Sequence, residues 1–250
     1  MEFGYPENFA RFYDLIYHRI RDEADADFFQ NEACKVKGKV LEIGVGTGRH
    51  FMNAMEHGVD IYGIDVSESM LNQLYGKLNR SEHYRVSRQN MIDFSFDLKF
   101  NLIMAPFRVI MHIPDKSDQL KAINNVYDHL EKDGRFIFDT FIPDLKQLIK
   151  GLSNVTDFEG EYEPGKKVRR IVSTNPDLLN QLIHVTFRME WEEEGKLEHD
   201  DWTTPMRYFF RYELEHLVER SKFRKYRIMG DYKGSVLNKD SKEFIVVCQK

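Results

Sequence analysis

The types and spacing that most plainly serve chemistry lie in Val40-Leu41-Glu42-Ile43-Gly44-Val45-Gly46-Thr47-Gly48-Arg49, where a short apolar run enters a glycine-rich turn and opens a stretch of helical period. Glycine lets the backbone bend sharply and lets a ligand approach where a Cβ would collide, so the turn reads as a ligand cradle. The start of the following helix offers unpaired N–H groups to an anionic moiety. A dinucleotide fingerprint spaces its glycines G-x-G-x-x-G; here they run G-x-G-x-G, with the carboxylate of Glu42 just ahead of the first. That spacing disfavours NAD. The only cysteines, Cys34 and Cys248, are far apart and lack zinc-ligand neighbours. Neither a disulfide scaffold nor a metal site is indicated.

A chain of 250 residues, 42% hydrophobic and 31% charged, has the composition of an ordinary globular protein and suits one domain with an insertion. No signal-like segment or run of about 18 apolar residues is present, and the expected compartment is the reducing cytoplasm. A net charge of -5 argues against an extended nucleic-acid footprint, although Lys166, Lys167, Arg169, Arg170 and Arg220, Lys222, Arg224, Lys225 form local basic clusters. From residue 39, apolar runs alternate with helical stretches, the pattern of parallel strands joined by crossover helices. Strands are expected at 40–43, 61–64, 84–87, 100–105 and 135–140, with Ser67 capping a helix that carries Met70, Leu71, Leu74 and Leu78 on one face. Beyond Gly151, Ile183, Val185, Phe187, Met189 and Trp191 alternate with polar residues, which predicts a half-buried antiparallel strand. With 168–174, a turn at Asn175-Pro176-Asp177, a turn at Glu194-Gly195 and 197–208, this makes a three-stranded meander. A helix at 213–221 and strands at 225–229 and 244–248 close the chain. The expected fold is a Rossmann-like, seven-stranded, mostly parallel sheet flanked by helices, with a helical lid at 1–36 and an inserted antiparallel subdomain at 153–208.

The acidic residue followed by G-x-G-x-G resembles the first motif of the class I S-adenosylmethionine-dependent methyltransferases of the small-molecule acceptor type, and the resemblance covers 40–141 well. It implies that Glu42, Gly44, Gly46 and Gly48 handle the methionyl part of S-adenosyl-L-methionine, with S-adenosyl-L-homocysteine as product. It further implies that Asp65, followed by Val66 at the end of the second strand, accepts hydrogen bonds from both ribose hydroxyls. Met70 stands where the family packs an apolar side chain on adenine, and equally where a helix core residue belongs. Asn90-Met91 occupies the place of an Asp followed by an apolar residue that reads the adenine edge. The amide of Asn90 retains a carbonyl acceptor but not the charge.

Methyl transfer needs the acceptor lone pair in line with the carbon–sulfur bond at about 3 to 3.5 Å, so positioning and desolvation carry much of the rate. An ammonium or hydroxyl acceptor must also lose a proton. His112, after the fourth strand, is the candidate base or orienting group, against the alternative of a satisfied core histidine. Arg108 is a candidate for binding an acidic substrate, against a surface salt bridge. Phe9, Phe12, Tyr13 and Ile16 share one face of a leading helix. Similar enzymes fold such a helix over the cofactor, which would bring Tyr13 and Tyr17 to the sulfonium or the acceptor. The meander either shapes the acceptor pocket or forms a homodimer contact. A small-molecule nitrogen or oxygen acceptor is therefore expected. The competing readings are an RNA methyltransferase, drawing on the basic clusters, and a non-catalytic S-adenosylmethionine-binding regulator.

Overall fold

The computed structural model describes residues 4–20 and 23–250. Two helices lead, α1 (Glu7–Ile20) and α2 (Ala24–Cys34), followed by β1 (Lys39–Ile43), α3 (Arg49–Glu56), β2 (Asp60–Asp65), α4 (Glu68–Lys77) and β3 (Val86–Arg88). Next come β4 (Phe100–Ala105), α5 (Lys116–His129), β5 (Leu130–Phe141), α6 (Leu145–Lys150) and the strands β6 (Leu152–Glu163), β7 (Lys166–Asp177), β8 (Leu182–Glu193) and β9 (Lys196–Arg207). Helix α7 (Arg211–Arg220), β10 (Lys225–Met229) and β11 (Glu243–Gln249) complete the fold.

Seven strands form one sheet in the order β10-β11-β5-β4-β1-β2-β3. Only the β10–β11 and β11–β5 pairs are antiparallel. Both faces are covered, which is why β1 and β4 are apolar almost throughout. One face buries Leu41, Ile103, Phe136 and Phe138 under α5 and α7; the other buries Val40, Leu102 and Ile137 under α2, α3 and α4. The chain winds outward from β1 to β3 and then returns to β4, placing a crevice at the carboxyl ends of β1 and β4. Such switch points are where open α/β sheets bind ligands. Ser67 caps α4 as expected, its hydroxyl accepting from the Met70 N–H at 3.4 Å.

The inserted sheet has four strands in the order β6-β7-β8-β9 rather than three. The added strand, β6, is an edge strand on which only Phe158 is buried, so its sequence lacks the alternation that marks β8. Asn175, Pro176 and Asp177 do not turn either; they still pair with β8, and the chain reverses at 178–181. There the Asp177 carboxylate accepts from the Asn180 backbone at 3.0 Å and its side chain at 2.7 Å. The Glu194-Gly195 turn falls where expected, both residues having positive φ as a two-residue hairpin requires.

Helix α1 lies on this second sheet, with Phe9, Phe12 and Ile16 buried against Phe158, Val168, Met189 and Trp191. Tyr13 is turned away from that cluster toward the crevice. Helix α2, within the stretch expected to form a lid, instead packs Phe29 and Ala33 into the core beside α3. No described helix is long and apolar enough to cross a membrane.

Candidate active site

The turn after β1 is fastened to the end of β2. The N–H groups of Gly44 and Val45 both donate to the Ile64 carbonyl, at 2.8 and 3.0 Å, and Gly46 N–H donates to Asp65 Oδ2 at 2.9 Å. Gly44 and Gly48 have φ of +72° and +92°, and a Cβ would sit 2.3 Å from Val109 Cγ2 and 2.4 Å from Leu74 Cδ1 respectively. Side chains from neighbouring elements therefore fill the space that glycine vacates, which fixes the turn's shape as well as permitting it.

Two carboxylates border this turn. Glu42 is 1% exposed, and its Oε2 has no hydrogen-bond partner among the described residues. Burial, reinforced by the nearby Asp65, holds the Glu42 carboxyl well above the usual range; Arg49 opposes them. Asp65 is also raised by burial, against hydrogen bonds from the backbone of Ser67, Gly46 and Val66. A buried carboxylate oxygen left unpaired is costly, and a ligand donor such as an ammonium would satisfy it. Val66, Met70, Asn90 and Met91 line the same cavity, which measures about 500 Å³. The Asn90 carbonyl oxygen accepts from the Ile92 N–H at 3.0 Å, leaving a second lone pair.

At the β4 end of the cavity, beside the glycine-rich turn, the chain runs into Pro106, then into Phe107 and Arg108 with φ of 60° and 66°, then into a short 3₁₀ turn, Val109–His112. His112 is half-buried, and desolvation lowers its pKa to about 4, so the imidazole is neutral at neutral pH. Tyr13 and Tyr17 line this end, their rings 4.3 Å apart, and Tyr17 meets Phe107 edge to face at 5.3 Å. Arg108 and Gly48 are not among the lining residues. The Arg108 guanidinium instead pairs with Glu243 at 2.8 Å, the salt bridge weighed against a substrate role, because the left-handed turn swings the side chain toward β11.

Several contributors were not visible in the sequence. Thr203, Thr204 and Pro205 of β9 line the cavity beside Trp202, a residue of the meander that was expected to shape the acceptor pocket, and Asp115 and Asp118 line it from the start of α5. Asp115 caps that helix, and hydrogen bonds from the Asp118 and Ser117 backbone hold its carboxyl below the usual range. Tyr5 closes the cofactor end; its ring lies 4.4 Å from Trp202, and its backbone exchanges hydrogen bonds with the Ser67 hydroxyl at 3.1 Å. Helix α1 is tied to the glycine-rich turn by Asp14, which accepts from the Thr47 hydroxyl at 2.6 Å and from Lys77 at 2.5 Å. Arg49 makes a forked pair with the buried Asp25, both contacts at 3.1 Å, joining α2 to the first turn of α3.

The depressed His112 pKa gives the fold a pH signature. Above pH 6.5 the imidazole is neutral whether the chain is folded or not. Between about 6.5 and 4 the unfolded chain binds a proton that the folded chain does not, so stability falls as pH falls. The expected loss is on the order of 3 kcal/mol, and His112→Gln should remove it from the pH dependence of urea midpoints.

A family model described as a methyltransferase domain matches residues 40–134. The chain is 27% identical over 242 residues to a glycine/sarcosine N-methyltransferase of Parasynechococcus marenigrum (strain WH8102), covering 94% of this chain and 81% of that protein. A crystal structure of an S-adenosylmethionine-dependent methyltransferase from Clostridium acetobutylicum ATCC 824 superposes with a TM-score of 0.76 at 21% identity, covering 97% of each chain. Residues 40–134 form a methyltransferase domain, and the chain is an S-adenosylmethionine-dependent methyltransferase of Rossmann-like fold. Similar in fold is the sugar N-methyltransferase KedS8 from Streptoalloteichus sp ATCC 53650, with a TM-score of 0.75, 18% identity, and coverage of 95% of this chain and 92% of that one. The residues of the methyltransferase fit its cofactor in chemistry: an open backbone approach at Gly46, a buried Glu42 oxygen without a partner among the described residues, and a half-buried carboxylate at the end of β2. Among the described residues no cluster of His, Cys, Asp and Glu is placed to hold a metal ion.

Proposed function

We propose that this methyltransferase acts on an amine nitrogen of a small molecule that carries no carboxylate. One observation supports this most directly: the acceptor end of the cavity combines His112 with Asp115 and Asp118, and among the described lining residues the only lysine or arginine is Arg49, engaged with Asp25 beside the cofactor turn. Such a lining attracts a cationic or neutral amine and repels an acid. Glu42 and the turn at 44–46 would hold the methionyl group, Asp65 the ribose diol, and Met70 with Asn90 and Met91 the adenine. Bound there, S-adenosylmethionine supplies a methyl carbon made electrophilic by its sulfonium, the sulfur keeping the electrons of the broken bond.

The protein's own part is to orient and to dry. A neutral His112 accepts a hydrogen bond from the acceptor N–H, which turns the nitrogen lone pair away from the imidazole and toward the cofactor end. As positive charge develops on nitrogen that hydrogen bond strengthens, and the product ammonium gives up its proton to solvent once released. Tyr13, Tyr17, Phe107 and Trp202 present ring faces that exclude water and favour positive charge.

The basic clusters favour a small acceptor over RNA, since Lys166 pairs with Glu163, Arg169 with Glu190, Arg170 with Asp157 and Lys222 with Asp128. The test is methyl transfer from labelled cofactor to a panel of amino sugars, simple amines, glycine, sarcosine, polyols and RNA. An amine without a carboxylate should exceed glycine and sarcosine by at least about tenfold in kcat/KM, or about 1.4 kcal/mol. Preference for glycine or sarcosine, for a hydroxyl, or for RNA would overturn the proposal.

A further inference from the structure

The turn that carries His112 is an improbable one. Phe107 and Arg108 both adopt left-handed backbone conformations, φ 60° and 66°, which side chains other than glycine seldom take, and two in succession need an external hold. That hold is visible at the end of β5. Asp139, 0% exposed, lies just past the Ala105–Phe138 pair that ends the β4–β5 ladder. Its Oδ1 accepts from the Arg108 N–H at 3.3 Å, and its Oδ2 accepts from the Tyr232 hydroxyl at 3.0 Å. The Tyr232 ring is in turn wedged near Phe28, at 5.9 Å. The side chain of Arg108 is gripped separately, by Glu243. What the turn presents on its other side is the active cavity: the Phe107 ring against Tyr17, Val109 filling the space beside Gly44, and then His112.

We propose that Asp139 is a positioning residue of the active site: by holding the Arg108 N–H it keeps the 106–109 turn left-handed and so keeps His112 directed into the cavity. A buried carboxylate is an expensive device for a structural bond. Here it reaches an N–H at the one place among the described residues where two consecutive non-glycine residues take positive φ. Asp139 touches neither substrate nor cofactor in this assignment. Its importance for turnover rests on the reading of His112 given above, whereas the geometric claim does not.

The test is accordingly one that needs no acceptor. Side-chain NMR titration follows the nine histidines, with His112 assigned by its absence in His112→Gln. In Asp139→Ala the turn should relax, and the His112 pKa should rise by at least one pH unit from about 4 toward the ordinary 6.5 as the ring gains solvent. Asp139→Asn keeps a carbonyl oxygen for the Arg108 N–H and should restore titration to within half a unit of wild type. S-adenosylhomocysteine affinity should change less than about threefold in both, because Asp65 is held by the Gly46 and Ser67 backbone rather than by the 106–109 turn. If Asp139→Ala does not fold, Asp139→Ser, which leaves a hydroxyl for Tyr232, is judged by the same criterion. Titration of His112 unchanged in the alanine or serine variant would overturn the proposal. So would an equal rise in Asp139→Asn, or a parallel collapse of cofactor affinity. A failure to find an amine acceptor would leave this result standing, so the two readings fail separately.

Discussion

Replacement of Asp65 by alanine is expected to weaken S-adenosylmethionine and S-adenosylhomocysteine by about 100-fold, measured by calorimetry. A carboxylate that accepts from two vicinal hydroxyls makes two charge-assisted hydrogen bonds. Each is worth about 1.5 to 3 kcal/mol, and they are not additive, so a net loss of about 3 kcal/mol is the reasonable sum. The free protein also suffers, because Asp65 accepts from the Gly46 and Ser67 N–H groups at 2.9 and 2.8 Å. Asparagine separates the two effects. It offers one carbonyl oxygen to the backbone and lacks the charge, so Asp65→Asn should recover most of the stability and only part of the affinity. In thermal unfolding, a ligand at a hundredfold excess over its Kd should add about 2.7 kcal/mol to the wild type, or roughly 5 to 10 °C. The same ligand concentration should leave Asp65→Ala nearly unmoved. Wild-type affinity in Asp65→Ala would mean that the ribose lies elsewhere and that the half-buried carboxylate serves only to brace the turn.

The cofactor end of the site was legible in the sequence because it is built from consecutive residues. The G-x-G-x-G turn, Asp65 one strand later and Met70 in the next helix owe their relation to a single β-α-β unit, whose handedness is fixed. The acceptor end is assembled differently. Thr203, Thr204 and Pro205 come from an inserted strand and face residues nearly a hundred positions earlier. Nothing in their local pattern distinguishes them from the polar residues along the rest of β9. Asp115 caps α5 and lines the cavity at once, and neither role was read from the sequence. Arg108 illustrates the same limit in reverse. Its position in the loop after β4 was right, but a pair of positive φ values and a glutamate on β11 send its guanidinium elsewhere. Strand β6 escaped because an edge strand with one buried residue carries no alternation to detect. Short-range periodicity thus reports burial, and where burial is slight it reports nothing.

His112→Gln should lower kcat by about 100- to 1000-fold while leaving the cofactor Kd within about twofold, because the carboxylates assigned to the cofactor, Glu42 and Asp65, do not depend on the imidazole for their hydrogen bonds. The pH dependence carries the stronger evidence. With a His112 pKa of about 4, the neutral ring is fully available across the neutral range, so any rise of kcat/KM between pH 6 and 9 belongs to the acceptor amine losing its own proton. The limb that belongs to His112 lies in acid. As pH falls through about 4 the ring gains a proton, can no longer accept the hydrogen bond, and the rate should fall tenfold per pH unit beyond the fall due to the amine. His112→Gln offers a carbonyl oxygen that does not titrate there, so the variant should lose that extra limb while keeping the amine's. Retention of the acid limb in the variant would assign it to another group of the cavity lining. A full rate in the variant would show that dry, oriented presentation by the aromatic wall suffices for methyl transfer, and that the low pKa of His112 records its burial rather than a task.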